Sequence, residues 1–154
     1  MVLAITVIAI TFFGMEGMAW LSHKYIMHGI GWALHKDHHE PHQKKTEKND
    51  LFFMIFAIPS WLCIMLGMIY QNDISTFVGV GILVYGICYV IVHDIFIHQR
   101  IKILRKADRP YFKAIRFAHK IHHKNIGKED GKCFGMLFVP RKYYIKAKKE
   151  NALK

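Results

Sequence analysis

Eleven of the 154 residues are histidine, and ten of these fall into four clusters. In chain order they are His23 with His28; His35, His38 and His39; His93 with His98; and His119, His122 and His123. The order HxxxxH, HxxHH, HxxxxH, HxxHH is one pattern written twice, which points to two similar half-sites facing each other. Neutral imidazole is the commonest side-chain ligand for borderline transition metals, so the chemistry on offer is metal binding. One ion takes about four to six ligands, so this set overfills a single site and suits two ions. No cysteine lies near a cluster, which disfavours a structural zinc site of Cys/His type. Cys63, Cys88 and Cys133 are widely spaced, form no CxxC pair, and read as small apolar fillers rather than disulfide partners.

Spacing says how these rings are presented. In HxxHH the first and last histidines share a helical face, with the middle one beside them. HxxxxH is harder to place, because five residues advance an ideal helix by about 140° beyond a full turn. Three arrangements are open. The helix unwinds, which Gly29 would permit after the first cluster; the two rings bind different metals; or they approach one metal from two sides.

The elements that must position these rings are helices in a membrane. Residues 1–22 are apolar apart from Glu16, and residues 51–70 and 74–92 carry no charge. Each is close to the ~20 residues a helix needs to cross ~30 Å of hydrocarbon, where helices satisfy their own backbone. Residues 1–22 lack a basic leader region and a small-residue cleavage site, and read as a retained span. The net charge of +11 is partitioned: all 22 Lys and Arg lie in 24–48 or 100–154. That distribution reads as membrane topology rather than nucleic-acid binding. The positive-inside rule puts the amino terminus outside and residues 23–50 and 93–154 in the cytoplasm. The clusters then lie on one side of the membrane at about one depth, and none falls within 1–22 or 51–92. Solvent-facing or isolated core histidines would be scattered instead. The expected architecture is an all-α integral membrane protein, one domain over 1–154. It has three to four membrane helices under a cytoplasmic, histidine-rich, di-metal helical cap. The fourth piece is 133–140, apolar but too short to cross, preceded by a helix starting near Asp108 with Pro110 in its first turn.

At these residues the sequence resembles the fatty acid hydroxylase/sterol desaturase superfamily, and within it the short bacterial β-carotene 3-hydroxylases. The matching stretches are Met15-Glu16, His23 through Gly29, Trp32, His35 through Glu40, and Glu47 through Leu51. They continue with His93-Asp94, His98-Gln99-Arg100, Ala118-His119-Lys120 and His122-His123. The resemblance implies a non-haem di-iron centre that uses O2 to hydroxylate C3 of a β-ionone ring, converting β-carotene through β-cryptoxanthin to zeaxanthin. It also implies two electrons from reduced ferredoxin or a similar carrier, and a bacterial inner-membrane location. An all-nitrogen ligand set suits redox-active iron, although such a cage also accepts zinc. Cleaving an unactivated C–H bond is beyond side-chain acids and bases, so the metal must carry it.

Other residues have competing readings. Glu16, seven residues before His23, is either a partner steadying a ligand ring or a buried, hydrogen-bonded carboxyl. Asp94 adjoins His93 and is, with Glu16, a candidate for orienting a ligand ring, although its neighbouring position points it elsewhere on a helix. Asn49 and Asp50 read as a cap on the second span. Pro41 breaks the register before His42, which is left outside the metal set. Phe12, Phe13, Trp20, Trp32, Phe52, Phe53 and Trp61 read as packing or lipid-facing aromatics rather than a channel. Lys142, Lys146, Lys148 and Lys149 suit lipid headgroups or an acidic ferredoxin. Two alternatives compete with carotenoid hydroxylation. One is hydroxylation or desaturation of an acyl chain or sterol, which histidine spacing does not separate. The other is a metal-transport or metal-binding membrane protein, disfavoured because mid-span ligands are absent apart from Glu16.

Overall fold

The computed structural model describes residues 1–40, 46–106 and 109–152, so His42 lies outside the described residues. All regular elements among them are helical. Helix α1, Val2–Leu21, continues into a wider-wound stretch, Ser22–Ile30, and the short α2 follows at Trp32–His39. A 3-10 turn, Lys48–Phe53, leads into α3, Met54–Ile69. Helix α4, Asp73–Tyr89, starts on Asn72, whose side chain accepts from Ser75 N–H, and it too ends in a wider-wound stretch, Val90–Ile97. Helices α5, Pro110–His123, and α6, Arg141–Ala152, complete the order.

With their continuations, three helices are long and apolar enough to cross a membrane: Val2–Ile30, Lys48–Ile69 and Asp73–Ile97. This is an all-helical membrane fold. The helices run past the apolar ranges 1–22, 51–70 and 74–92, because backbone bonding continues where the side chains turn polar. Thus His23, His28 and His93 lie inside the long helices rather than beyond them.

Helix α4 is the central post. At Gly81 a Cβ would lie 2.6 Å from Thr11 of α1, and at Gly79 one would lie 2.8 Å from Ser60 O of α3. Small residues let membrane helices approach this closely. Tyr85, fully buried on α4, centres a core with Met15, Ala19, Ile82 and Met136. Helix α5 begins with Pro110 in its first turn. Its Arg116 donates to the carbonyls of Phe96, Leu104 and Arg105, tying it to the end of α4. Helix α6 lies on α5, with Ala147 buried and Lys113 donating to Asn151.

Residues 133–140 form no helix. Instead the N–H groups of Met136, Leu137 and Phe138 all donate to Glu16 Oε1, at 2.9, 2.8 and 3.1 Å. Irregular backbone beside a membrane helix is tolerated where protein groups satisfy it.

Candidate metal centre

The five-residue spacing is explained by the winding of the helix ends. Where backbone bonds run from i to i+5, the helix widens and residues five apart come into line. His98 N–H donates to His93 O at 2.9 Å and Gly31 N–H to Ile26 O at 2.8 Å. The His23 and His28 rings then lie 5.4 Å apart, and those of His93 and His98 4.6 Å apart. Each pair faces a single half-site, so unwinding is the arrangement adopted. In the first stretch Gly29 leaves helical geometry altogether, at φ −106° and ψ −116°.

Two groups of nitrogens result. His23, His28, His35, His39 and His122 offer ligand atoms all within 4.8 Å of one another, as do His38, His93, His98 and His119. His123 joins the second group, its Nε2 2.9 Å from that of His119. Each half-site therefore takes one HxxxxH pair, the first and last histidines of one HxxHH, and the middle histidine of the other. His122 crosses to the first half-site and His38 to the second, so α2 and α5 each serve both. The two groups also touch, with the rings of His39 and His123 stacked at 4.7 Å.

The outer nitrogens fix the chemistry of the inner ones. Nδ1–H donates to Phe134 O from His23, to Lys128 O from His28, to Asn125 O from His39 and to Lys132 O from His122. Side chains hold three more: His35 donates to Asn49 Oδ1 at 2.6 Å, His38 to Glu47 Oε2 at 2.6 Å, and His93 to Asp94 Oδ1 at 2.8 Å. A neutral ring whose proton sits on Nδ1 presents a bare lone pair at Nε2. The Nε2 atoms of His23 and His39 each lie 3.1 Å from that of His35. No proton is left to join them. The Nε2 atoms of His38 and His93 are buried without a hydrogen-bond partner among the described residues. Converging lone pairs repel one another unless a cation lies among them, and outer-nitrogen bonds of this kind are what ligand histidines make. The residues present fit two metal ions.

Burial keeps the rings in that neutral form. It pulls His35 and His123 down to about 3, His39 to about 4 and His122 to about 2, with neighbouring imidazoles adding to the effect. His38, His98 and His119 are lowered well below the ordinary value for the same reason.

Several residues behave differently from their sequence readings. Asn49 is drawn off capping duty to accept from His35. Asp94, by contrast, does reach the ring it was a candidate to orient, its carboxylate folding back onto His93 Nδ1. Among the described residues Glu16 touches no imidazole: Tyr85 Oη–H donates to its Oε2 at 2.8 Å and the 136–138 backbone takes its Oε1. Its link to the site runs through the segment that also carries Phe134 O. Glu47 and Arg100 appeared in the motif stretches without an individual role. Arg100 pairs with Glu47 at 2.9 Å and Asp50 at 2.8 Å, bracing the carboxylate that holds His38. Trp32 packs on His28 and His39, whereas Phe53 and Trp61 line apolar cavities rather than only packing. A cavity of about 1180 Å³, lined partly by Arg100, Lys102, Arg116 and Lys120, reaches His98, His119 and His123.

Fold and site together define a class: a helical membrane protein with a histidine cage built for metal. The sequence profile of the fatty acid hydroxylase family matches residues 8–140, and the chain belongs to that family. Over 134 residues it is 41% identical to the β-carotene hydroxylase of Pantoea ananas, covering 87% of this chain and 76% of that one. Over 135 residues it is 36% identical to the β-carotene hydroxylase of Paracoccus sp. (strain PC1), covering 87% and 83%. It is 38% identical over 133 residues to the chloroplastic β-carotene 3-hydroxylase of Haematococcus lacustris, covering 83% of this chain and 41% of that longer one. The resemblance read from the histidine motifs is thereby shown. No solved structure matches the chain.

Proposed function

We propose that this chain is a membrane-bound, non-haem di-iron monooxygenase that hydroxylates C3 of carotenoid β-ionone rings, taking β-carotene through β-cryptoxanthin to zeaxanthin. The overall change is R–H + O2 + 2 e⁻ + 2 H⁺ → R–OH + H2O. Two irons supply the redox chemistry that O2 activation and an unreactive C–H bond demand. His23, His28, His35, His39 and His122 hold one iron; His38, His93, His98, His119 and His123 hold the other. Asn49, Glu47 and Asp94 keep ligand rings turned with their lone pairs inward. The electrons come from reduced ferredoxin or a similar carrier at the cavity lined by Lys102, Arg116 and Lys120. The whole chain acts as one domain in a bacterial inner membrane, with the metal centre at the cytoplasmic face.

One observation carries this reading: two groups of converging imidazoles, seven of them with the Nδ1 proton held outward, so that buried lone pairs point at a common centre that suits a cation. The kinship with β-carotene hydroxylases of bacteria and plants supports the substrate. The test is expression in cells that accumulate β-carotene, supplied with iron and a working electron donor. β-Cryptoxanthin and zeaxanthin are the expected pigments. Unchanged β-carotene would defeat the assignment, and hydroxylated acyl chains in its place would redirect it.

A further inference from the structure

We propose that the groove between α3 and α4 is the path by which a hydrocarbon reaches the metal centre from the lipid, and that Gly86 sets its width. The nature of the occupant rests on the hydroxylase reading above.

Helix α4 contains three glycines, Gly79, Gly81 and Gly86. The first two have evident reasons, since a Cβ at either would collide with a neighbouring helix. Gly86 has none of that kind. A Cβ there would meet only the Phe53 ring, at 3.9 Å, an ordinary contact. Glycine is a poor helix former, so its presence calls for something other than helix packing.

Two cavities meet at this glycine. The inner one, about 310 Å³, is walled by Met27, Phe52 and Tyr89 and reaches His93. The outer one, about 520 Å³, runs along Ala57, Trp61, Ile64, Leu83 and Ile87. Both are lined by Phe53, Phe56, Gly86 and Val90, so they adjoin across those four residues, which form the waist of the proposed passage. Each is within the usual range for ligand sites of about 300–1,000 Å³. At the outer end Trp61, Leu83, Ile87 and Ile91 are exposed on segments that cross the membrane, so the passage opens to lipid. At the inner end stands His93, whose inward nitrogen is unpartnered.

The polar groups of the inner chamber narrow the choice of occupant. Asn49 is bonded to His35, Asp94 to His93, and Arg100 to Glu47 and Asp50. They are committed to the cage and its bracing. The passage therefore fits a long hydrocarbon without polar groups, such as β-carotene, entering with one apolar ring first, its remaining length lying along α3 and α4.

A graded series, Gly86→Ala, Gly86→Val and Gly86→Leu, tests this in the same β-carotene-accumulating cells. Hydroxylated pigment should fall with side-chain size, by about tenfold or more for Leu, the scale of inserting methylenes into filled space. Iron per purified chain should stay unchanged. Phe53→Ala in the Gly86→Leu background should restore hydroxylation, as simple misfolding would not. Val84→Phe, exposed on α4 outside the groove, should hydroxylate like the unmodified chain. A second readout needs no metal and no turnover: β-carotene bound to the metal-free protein in detergent should acquire visible circular dichroism, absent with Gly86→Leu. Unimpaired hydroxylation by Gly86→Leu would overturn the proposal, as would a dichroic band that it retains or that the unmodified chain lacks. If the unmodified chain binds β-carotene yet yields no hydroxylated pigment, the reaction assignment falls and the dichroism of the series still decides the passage.

Discussion

An imidazole binds a metal through one nitrogen, and the contact of the other decides how well that ring is aimed. His35 shows the point most sharply: it is almost fully buried, its Nε2 faces two other imidazoles, and its Nδ1–H has Asn49 Oδ1 as partner. Asn49→Ala should weaken metal binding by about 10–100-fold, the usual cost of losing such a partner. Asn49→Asp, which keeps an acceptor, should retain most of the affinity. Chelator competition on the purified protein measures both, and equal affinity for Asn49→Ala and the unmodified chain would refute the role. The ten ring positions were legible in sequence because ligand spacing is local. Most of their orienting partners were not, since four are backbone carbonyls without a residue signature, and Lys128 lies 100 residues from His28.

Among the elements, the non-helical segment 124–140 does the least conspicuous and most consequential work. Its carbonyls at Asn125, Lys128, Lys132 and Phe134 hold four histidines, and Glu16 anchors its far end to α1 and, through Tyr85, to α4. A backbone donor left without its acceptor costs about 1–3 kcal/mol when buried, and Glu16→Ala strands three backbone donors at once. It should lower the thermal unfolding midpoint in detergent and hasten metal release to a chelator. Glu16→Gln, which keeps a carbonyl oxygen, should do less of both. Unfolding and release both unchanged in Glu16→Ala would remove Glu16 from the support of the site. Hydropathy marked Glu16 as anomalous inside a span but could not name its partners, because backbone N–H groups are common to nearly every residue. The wide-wound helix ends were half-legible: the spacing of five forbade a straight α-helix without choosing among the alternatives.

For the molecule as a whole, burying so many neutral imidazoles makes stability depend on pH. The metal-free fold holds His35 and His123 near 3, His39 near 4 and His122 near 2, whereas the unfolded chain takes up protons near 6.5. Between those values the unfolded state binds more protons, so stability is full above about 6.5 and is lost as pH falls towards 4. The unfolding midpoint of metal-free protein should therefore drop steeply from about pH 7 to about pH 4.5 and change little from pH 7 to 8. A midpoint indifferent to acid would contradict the burial. The sequence by itself determined the membrane spans, the clustering of histidines at one end of them and the doubled motif, because hydrophobic length, charge partition and ligand spacing are written in neighbouring residues. Only the tertiary structure decided that His38 and His122 exchange half-sites, that Asn49 serves a ring instead of a helix end, and that Gly86 lines two adjoining cavities. Those facts depend on which surfaces meet when distant helices pack, and no local pattern encodes the far side of a contact.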